Sequence, residues 1–500
     1  MDALSGLFYG LSVAFQPHHL LLMVAGCFLG TLVGVLPGIG PVGAISILLP
    51  LTFQLSPAGS IIMLAGIYNG AMYGGSTTSI LINVPGETAS VITCLDGYAM
   101  ARKGQAGAAL GIAVFGSFIA GTIGLIGLQL IAAPLSTLAL KFGPPEYFAI
   151  ILLGFTFIVY LAQRSMIKAV IMALAGILLS LIGLDPITSQ QRLTFGNIYL
   201  FEGLGVAPLA IGLFGLAEVF DNLEKTASAK ILNVKIKNMF PNRSQWLQAR
   251  WAILRGTVIG FLLGILPGGG PVLSTFISYG VEKKISKHPE QFGQGAIAGV
   301  AAPEAANNAA ASTSFIPLLT LGIPPNVVLA VLFGAFLVHG VTPGPMMMIQ
   351  HPEIFWGVIA SMYVGNLILL IMNLPMIPLW VQVLKIPDRF LYPLIILFCL
   401  VGAYSINNSI FDMGVMIFFG VIGYLLKKFN YEAAPLILGF VLGPMFEVNL
   451  RRSLLMSQGS FAIFVERPLA LAALMACLIV ILIPLIKILK KRSVTGAARL

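Results

Sequence analysis

Charge is what this sequence has least of. Asp, Glu, Lys and Arg make up 9% of its 500 residues, where soluble domains carry about a quarter. Residues 3–86, 104–140, 305–352 and 468–486 contain none of the four. Each run reaches or exceeds the roughly 20 residues that cross a bilayer, so a soluble enzyme or scaffold is excluded and an all-α polytopic membrane protein is expected. Cysteine is almost as scarce. Cys27, Cys94, Cys399 and Cys477 stand far apart in apolar surroundings, which argues against a disulfide framework and against a metal site built on cysteine spacing. There are five His residues. No Ser/His/Asp order, HExxH, Walker loop or CxxC occurs, so catalysis is not indicated. The net charge of +10 is not that of a nucleic-acid binder. The basic residues lie in short loops and at the C-terminus, as cytoplasmic loops do.

Glycine and proline are abundant instead, at 55 and 30. They gather in a repeat. Gly30 to Val42 and Gly260 to Val272 align without gaps, and nine of the thirteen positions are identical, including Leu36-Pro37-Gly38 and Leu266-Pro267-Gly268. Proline removes a donor and glycine relaxes the backbone, so each copy breaks a helix. In hydrocarbon such a break survives only where protein or a water-filled cavity covers the freed groups. Matched breaks in two halves point to the binding site of a secondary transporter. Tight helix packing is the alternative.

A second, weaker match has an offset of 239. It pairs Asn69 with Asn308 and Pro85 with Pro324. Asn83-Val84-Pro85-Gly86-Glu87 and Gly322-Ile323-Pro324-Pro325-Asn326 are then matched hairpin tips. Residues 1–29 carry no Lys or Arg, whereas 221–255 carry seven. By the positive-inside rule the approaches to the two breaks lie on opposite sides of the membrane, so the halves form an inverted-topology repeat with broken helices and re-entrant hairpins. The expected division is 1–222 for the first repeat, 223–250 for a basic cytoplasmic linker, 251–465 for the second repeat, and 466–500 for a last helix with a basic cytoplasmic tail.

The break segments supply backbone groups, hydroxyls and amides. Helix N-termini suit an anion, so substrate contacts are expected from Gly38, Gly40, Gly74, Gly75, Ser76, Thr77, Thr78, Pro85, Gly86, Gly268, Gly269, Gly270, Ser312, Thr313 and Ser314. Neutral oxygens suit Na+. Ion coupling is therefore expected at Asn69, Ser79, Glu304, Asn307 and Asn308, with Na+ as the first expectation and H+ as the alternative. For any single hydroxyl the competing reading is helix packing. Glu304 lies in an apolar stretch, where a carboxylate is costly and commonly functional; pinning the hairpin is its structural alternative. Glu87 is expected at a hairpin tip exposed to water. No cofactor is expected beyond the coupling ion.

Leu36-Pro37-Gly38-Ile39-Gly40-Pro41, Tyr73-Gly74-Gly75-Ser76-Thr77-Thr78, Pro85-Gly86-Glu87 and Asp96-Gly97-Tyr98 with Lys103-Gly104 resemble the large membrane subunit of tripartite tricarboxylate transporters, the TctA family. So do Pro303-Glu304-Ala305-Ala306-Asn307-Asn308-Ala309, Gly322-Ile323-Pro324 and His339-Gly340 with Pro343-Gly344-Pro345. Pro325 departs from the pattern, which commonly has Gly there. The resemblance implies a small four-helix membrane subunit and a periplasmic solute-binding protein as partners. It also implies uptake driven by an ion gradient, and a carboxylate substrate such as citrate, another tri- or dicarboxylate, or an aromatic acid. The expected setting is a bacterial inner membrane, and the expected cycle is alternating access of an elevator type. The competing classes are a stand-alone secondary transporter, a channel and, last, an intramembrane enzyme.

Overall fold

The computed structural model describes residues 2–36, 39–160, 165–224, 239–268, 270–384, 386 and 388–497. Pro37, Gly38, Gly269 and residues 225–238 of the expected linker lie outside them. The helices in order are α1 (Ala3–Ala14), α2 (Pro17–Val35), α3 (Gly40–Leu48), α4 (Pro57–Ile82), α5 (Ala106–Ala139), α6 (Pro144–Tyr160), α7 (Met166–Ser180) and α8 (Val206–Glu224). The second half continues with α9 (Arg243–Ile265), α10 (Gly270–Ile285), α11 (Ile297–Thr313), α12 (Phe315–Leu321), α13 (Val327–Val338), α14 (Pro352–Asn373), α15 (Ile377–Val383), α16 (Asp388–Asn407), α17 (Ile410–Lys428), α18 (Ala433–Met456) and α19 (Pro468–Ala497). Among the described residues, seven helices are long and apolar enough to cross a bilayer, and six shorter ones are also apolar. The only described strands are a two-residue antiparallel pair, Gly183–Leu184 with Gln191–Arg192. The protein is an all-α polytopic membrane protein. α14 and α15 do not run on as one helix, because Pro375 and Pro378 withdraw backbone donors just past the end of α14.

The chain forms two compact units: residues 1–140 with 205–429, and 141–204 with 430–500. These units are not the two sequence halves. Each draws on both, because helices of one repeat pack on helices of the other.

In the first unit the repeat is visible atom by atom. α2 ends at Leu36 and α9 at Leu266, both with extended backbone (ψ 117° and 129°). The chain then restarts at Gly40 and Gly270, whose φ values of +62° and +51° favour glycine. α2 crosses α4 so closely that a Cβ on Gly26, Gly30 or Gly34 would lie 2.3, 2.3 or 2.4 Å from the carbonyl oxygens of Met63, Ile67 and Ala71. α9 crosses α11 identically, with Gly256, Gly260 and Gly264 against the carbonyls of Ala302, Ala306 and Ala310. The glycines are related by the offset of 230 and their partners by 239. The extra residues of the second half lie between Val272 and α11, in the longer α10 and in the loop that follows it.

The ends of the repeats establish their relative direction. The segment that follows the first hairpin meets the loop that precedes the second. There the buried Asp96 accepts hydrogen bonds from the N–H groups of Gly293, Gly295 and Ala296 (2.9, 2.7 and 2.7 Å) and from Tyr279 Oη (2.9 Å). Lys103 Nζ donates to the Gln294 carbonyl at 2.5 Å. Conversely, His339, after the second hairpin, stacks 6.3 Å from Phe53, before the first. In a parallel repeat, equivalent loops would share an end. Here opposite loops do, which is the signature of inverted halves.

In the second unit α6, α7, α18 and α19 pack as a bundle. Gly176 and Gly439 permit α7 and α18 to touch, since a Cβ there would lie 2.0 Å from the Leu436 carbonyl and 2.3 Å from that of Ala173. Phe148 stacks on Phe446 and Phe464, both at 4.9 Å.

Candidate substrate and ion site

Glu304 on α11 is a fully buried carboxylate, 1% exposed. Ser76 on α4 donates to its Oε2 at 2.6 Å, and Thr93 donates to its Oε1. Ser117 on α5 lies within hydrogen-bonding reach of the same carboxylate and accepts from Asn308 Nδ2 at 2.7 Å. Asn308 also donates to the Glu304 carbonyl at 3.1 Å, one turn back. Among the described residues no Lys or Arg pairs with Glu304. A small cavity adjoins it, lined by Tyr73, Ser76, Thr77, Ser117, Glu304 and apolar α5 residues. It has room for about one water-sized particle, which fits an ion or water and not an organic acid.

The repeat shows that this pocket is no by-product of packing. Subtracting 239 places Ala65 where Glu304 stands, and adding it places Phe315 and Leu332 opposite Ser76 and Thr93. The related position is apolar for each of these three, whereas Asn308 is matched by Asn69.

The hairpin tips keep the symmetry of the backbone. Asn83 and Gly322, the related residues that end their helices, are both left-handed (φ 58° and 71°). Glu87 and Asn326 then start the outgoing arm with φ, ψ of −145°, 164° and −146°, 170°. Each caps that arm: the Glu87 carboxylate accepts from the Ser90 N–H, and Asn326 Oδ1 from the Leu329 N–H at 3.0 Å. Each tip also rests on its own break. A Cβ on Gly40 would sit 3.9 Å from Glu87 Cβ, and one on Gly270 3.5 Å from Asn326 Cβ. Gly268 N–H donates to the Pro325 carbonyl at 2.8 Å. Pro325 therefore takes part in the tip contact, and the departure from the family pattern leaves the hairpin geometry intact.

The remaining expected residues fall into two groups. Gly74, Gly75 and Gly86 are points of closest approach, where a Cβ would meet the Thr31 carbonyl at 2.5 Å, Glu87 Cγ at 2.6 Å and the Gly34 carbonyl at 2.3 Å. Pro85 lies in the tip beside them. Thr78, Ser79, Thr313 and Ser314 donate to backbone carbonyls of their own helices, Gly75 for the first two and Ala309 and Ala310 for the others, and Ser314 also reaches Gly264. Their lone pairs remain. Ser312 is buried against Gly124 of α5. Thr77 lines the cavity, and Asn69 is half-buried on α4. Asn307 donates to Glu87 Oε1 at 2.9 Å, joining α11 of one half to the tip of the other, so Glu87 is buried and not exposed to water as expected. Gly38 and Gly269 are outside the described residues. Sequence reasoning missed Thr93, Ser117, Tyr68 and Asn326. Thr93 and Ser117 are lone hydroxyls with no pattern around them. Tyr68 and Asn326, however, stand at the offset of 239 from Asn307 and Glu87. Among the described residues no group of three or more His, Cys, Asp or Glu side chains could hold a metal ion.

The chain is 50% identical over 490 residues to the "uncharacterized 52.8 kDa protein in TAR-I ttuC' 3'region" of Agrobacterium vitis, covering 97% of this chain and 98% of that one. An "uncharacterized protein in TAR-II ttuC' 3'region" of the same organism is 54% identical over 231 residues, which is 46% of this chain and 96% of the relative. No solved structure matches the chain. Residues 20–438, which hold both breaks, both tips and the Glu304 pocket, match the tripartite tricarboxylate transporter TctA family, and the chain belongs to that family.

Proposed function

We propose that this chain is the permease subunit of a tripartite transporter that takes up carboxylates by alternating access of an elevator type, driven by an ion gradient. The observation that carries the coupling part is Glu304: a buried carboxylate held by hydroxyls from α4 and the first hairpin arm, without a cationic partner among the described residues. An uncompensated charge in such a place is costly, so an ion must accompany it. Na+ is the proposed driver, because serine and threonine oxygens surround the carboxylate. H+ is the second reading, because a carboxyl buried without a cationic partner loses its charge on protonation and then needs no cation beside it. The proposed substrate is a tri- or dicarboxylate or a related organic acid. The proposed partners are a small four-helix membrane subunit and a periplasmic solute-binding protein, in a bacterial inner membrane with the C-terminus cytoplasmic. A channel would not accumulate its solute, and an intramembrane enzyme would need a nucleophile or acid–base pair beside the cavity.

The test is uptake by the reconstituted three-component system, with Na+ and pH gradients imposed separately. Na+-driven accumulation that Glu304→Gln reduces to the equilibrium level is the expected result. Accumulation on a pH gradient in Na+-free buffer, lost in the same variant, assigns the coupling to protons. Gradient-driven accumulation at the wild-type rate in Glu304→Gln removes Glu304 from coupling.

A further inference from the structure

The two tips share a backbone, but the second has Asn326 where the first has Glu87, and the first shows what the second is built to hold. At the first tip, the carboxylate of Glu87 stands beside the N-terminal end of α3 and at the start of the outgoing arm. It accepts from the Ser90 N–H and from Asn307 Nδ2 on the neighbouring helix (2.9 Å). The protein supplies the anion itself. At the second tip the same position is Asn326. Its Oδ1 is committed to the Leu329 N–H, which fixes its amide so that Nδ2 is the free end. A Cβ on Gly270, at the N-terminus of α10, would lie 3.9 Å from that nitrogen. The residue related to Asn307 is Tyr68, which is fully buried at 0% exposure and faces Asn326.

The donors at the second tip therefore have no carboxylate of their own. Tyr68 Oη and Asn326 Nδ2 face each other, and among the described residues neither has any other hydrogen-bond partner. Around them are the N-terminal turn of α13, whose first N–H groups an α-helix leaves without an internal acceptor, and that of α10. Buried donors left without an acceptor cost about 1–3 kcal/mol each. A set of such donors at two helix N-termini is suited to an anion.

We propose that Tyr68, Asn326 and the first N–H groups of α13 form a subsite for one carboxylate group of the transported acid, in the manner in which the first tip holds Glu87. The inference deepens the transport reading, on which it rests for the chemistry of the anion. It assigns different tasks to the two tips. The first is closed by its own carboxylate, and the second takes the carboxylate of the substrate. Tyr68, which lies within electrostatic reach of Glu87 as well, places the incoming carboxylate beside the carboxyl of the first tip.

Equilibrium binding of citrate, succinate and benzoate to the purified full chain, by calorimetry, tests the subsite. Tyr68→Phe removes one donor. Asn326→Ser removes the amide but keeps a helix-capping oxygen. Each is expected to weaken Kd about tenfold, the loss of one hydrogen bond to a charged group, with the melting temperature unchanged. Asn326→Glu rebuilds the first tip in the second and is expected to abolish binding. Wild-type affinity in Tyr68→Phe and Asn326→Ser, or wild-type chain that binds none of the three acids, overturns the subsite. Wild-type chain that binds an acid but, with its partner subunits, does not accumulate it under any imposed gradient overturns the transport reading and leaves the subsite standing.

Discussion

Two buried carboxylates in this chain are compensated in opposite ways, and the difference separates structure from function at the level of single residues. Asp185, in the loop between the two short strands, meets Arg192 and Arg451, the latter at 2.8 Å, and both arginines also hold Glu447. Burial alone would raise its pKa. The Ile187 and Thr188 N–H groups and the Arg451 guanidinium outweigh that and hold the carboxyl well below the usual carboxylate range. Glu304 has hydroxyls in place of arginines. A fully paired charge is a clamp; an unpaired one is available to an ion. For Asp185 the linkage has a definite sign. Its folded-state pKa is depressed, so its stabilisation is fully present above the unfolded value of about 4 and is lost as pH falls through the folded value. The expected outcome is a wild-type melting temperature that declines as the pH is lowered below about 4. Asp185→Asn should melt lower at neutral pH and decline less over the same interval. Differential scanning fluorimetry across that range checks it, and parallel curves for the two proteins would show that Asp185 is not a clamp.

At the scale of elements, the broken helices depend on what glycine leaves out. Gly30 and Gly260 allow a helix to rest on the carbonyl oxygens of its neighbour, 2.3 and 2.2 Å from where a Cβ would be. Backbone cannot yield as a side chain can, so Gly30→Ala and Gly260→Ala must push α2 off α4 and α9 off α11. Overpacking of this kind costs about 1–3 kcal/mol. Gly280 on α10 meets nothing within 4 Å, and Gly280→Ala should be neutral or stabilising by up to about 1 kcal/mol. Thermal melts of the three variants check the contrast; equal melting temperatures would refute the packing account. These elements were legible in the sequence because Pro and Gly act locally, on the backbone that carries them. Leu36-Pro37-Gly38 and Leu266-Pro267-Gly268 announce breaks wherever the rest of the chain lies. The Glu304 pocket was legible only in part. Glu304 and Ser76 were visible as polar groups in apolar runs, but Thr93 and Ser117 join them through tertiary contacts 211 and 187 positions away that no local pattern encodes. Tyr68 was hidden differently. A tyrosine inside an apolar helix reads as core, and only its relation to Asn307 through the offset of 239 marks it.

At the scale of the whole molecule, the inverted repeat and the charge pattern can be combined into one orientation. The segment after the first hairpin and the loop before the second lie at the same end, joined by Asp96 and Lys103. That end carries Arg102, Lys103, Lys283, Lys284 and Lys287. The opposite end, where Phe53 meets His339, belongs to two runs, 3–86 and 305–352, with no charged residue at all. Basic residues concentrate in short cytoplasmic loops, so the end with Asp96 should face the cytoplasm. The two halves reach this arrangement in opposite directions, which a parallel repeat cannot do. In a chain whose four native cysteines are replaced by serine, single cysteines at the exposed positions Gln54 and Thr342 should react with a membrane-impermeant maleimide in intact cells. Cysteines at the exposed positions Gln105 and His288 should react only after the membrane is permeabilised. Labelling that paired 54 with 288 and 105 with 342 would mean parallel halves. The expected pairing, 54 with 342 and 105 with 288, puts the donors of one tip and the carboxylate of the other at the ends of oppositely directed hairpins, so that a dissymmetric site arises from a symmetric backbone by exchanging Glu87 for Asn326 and Asn307 for Tyr68.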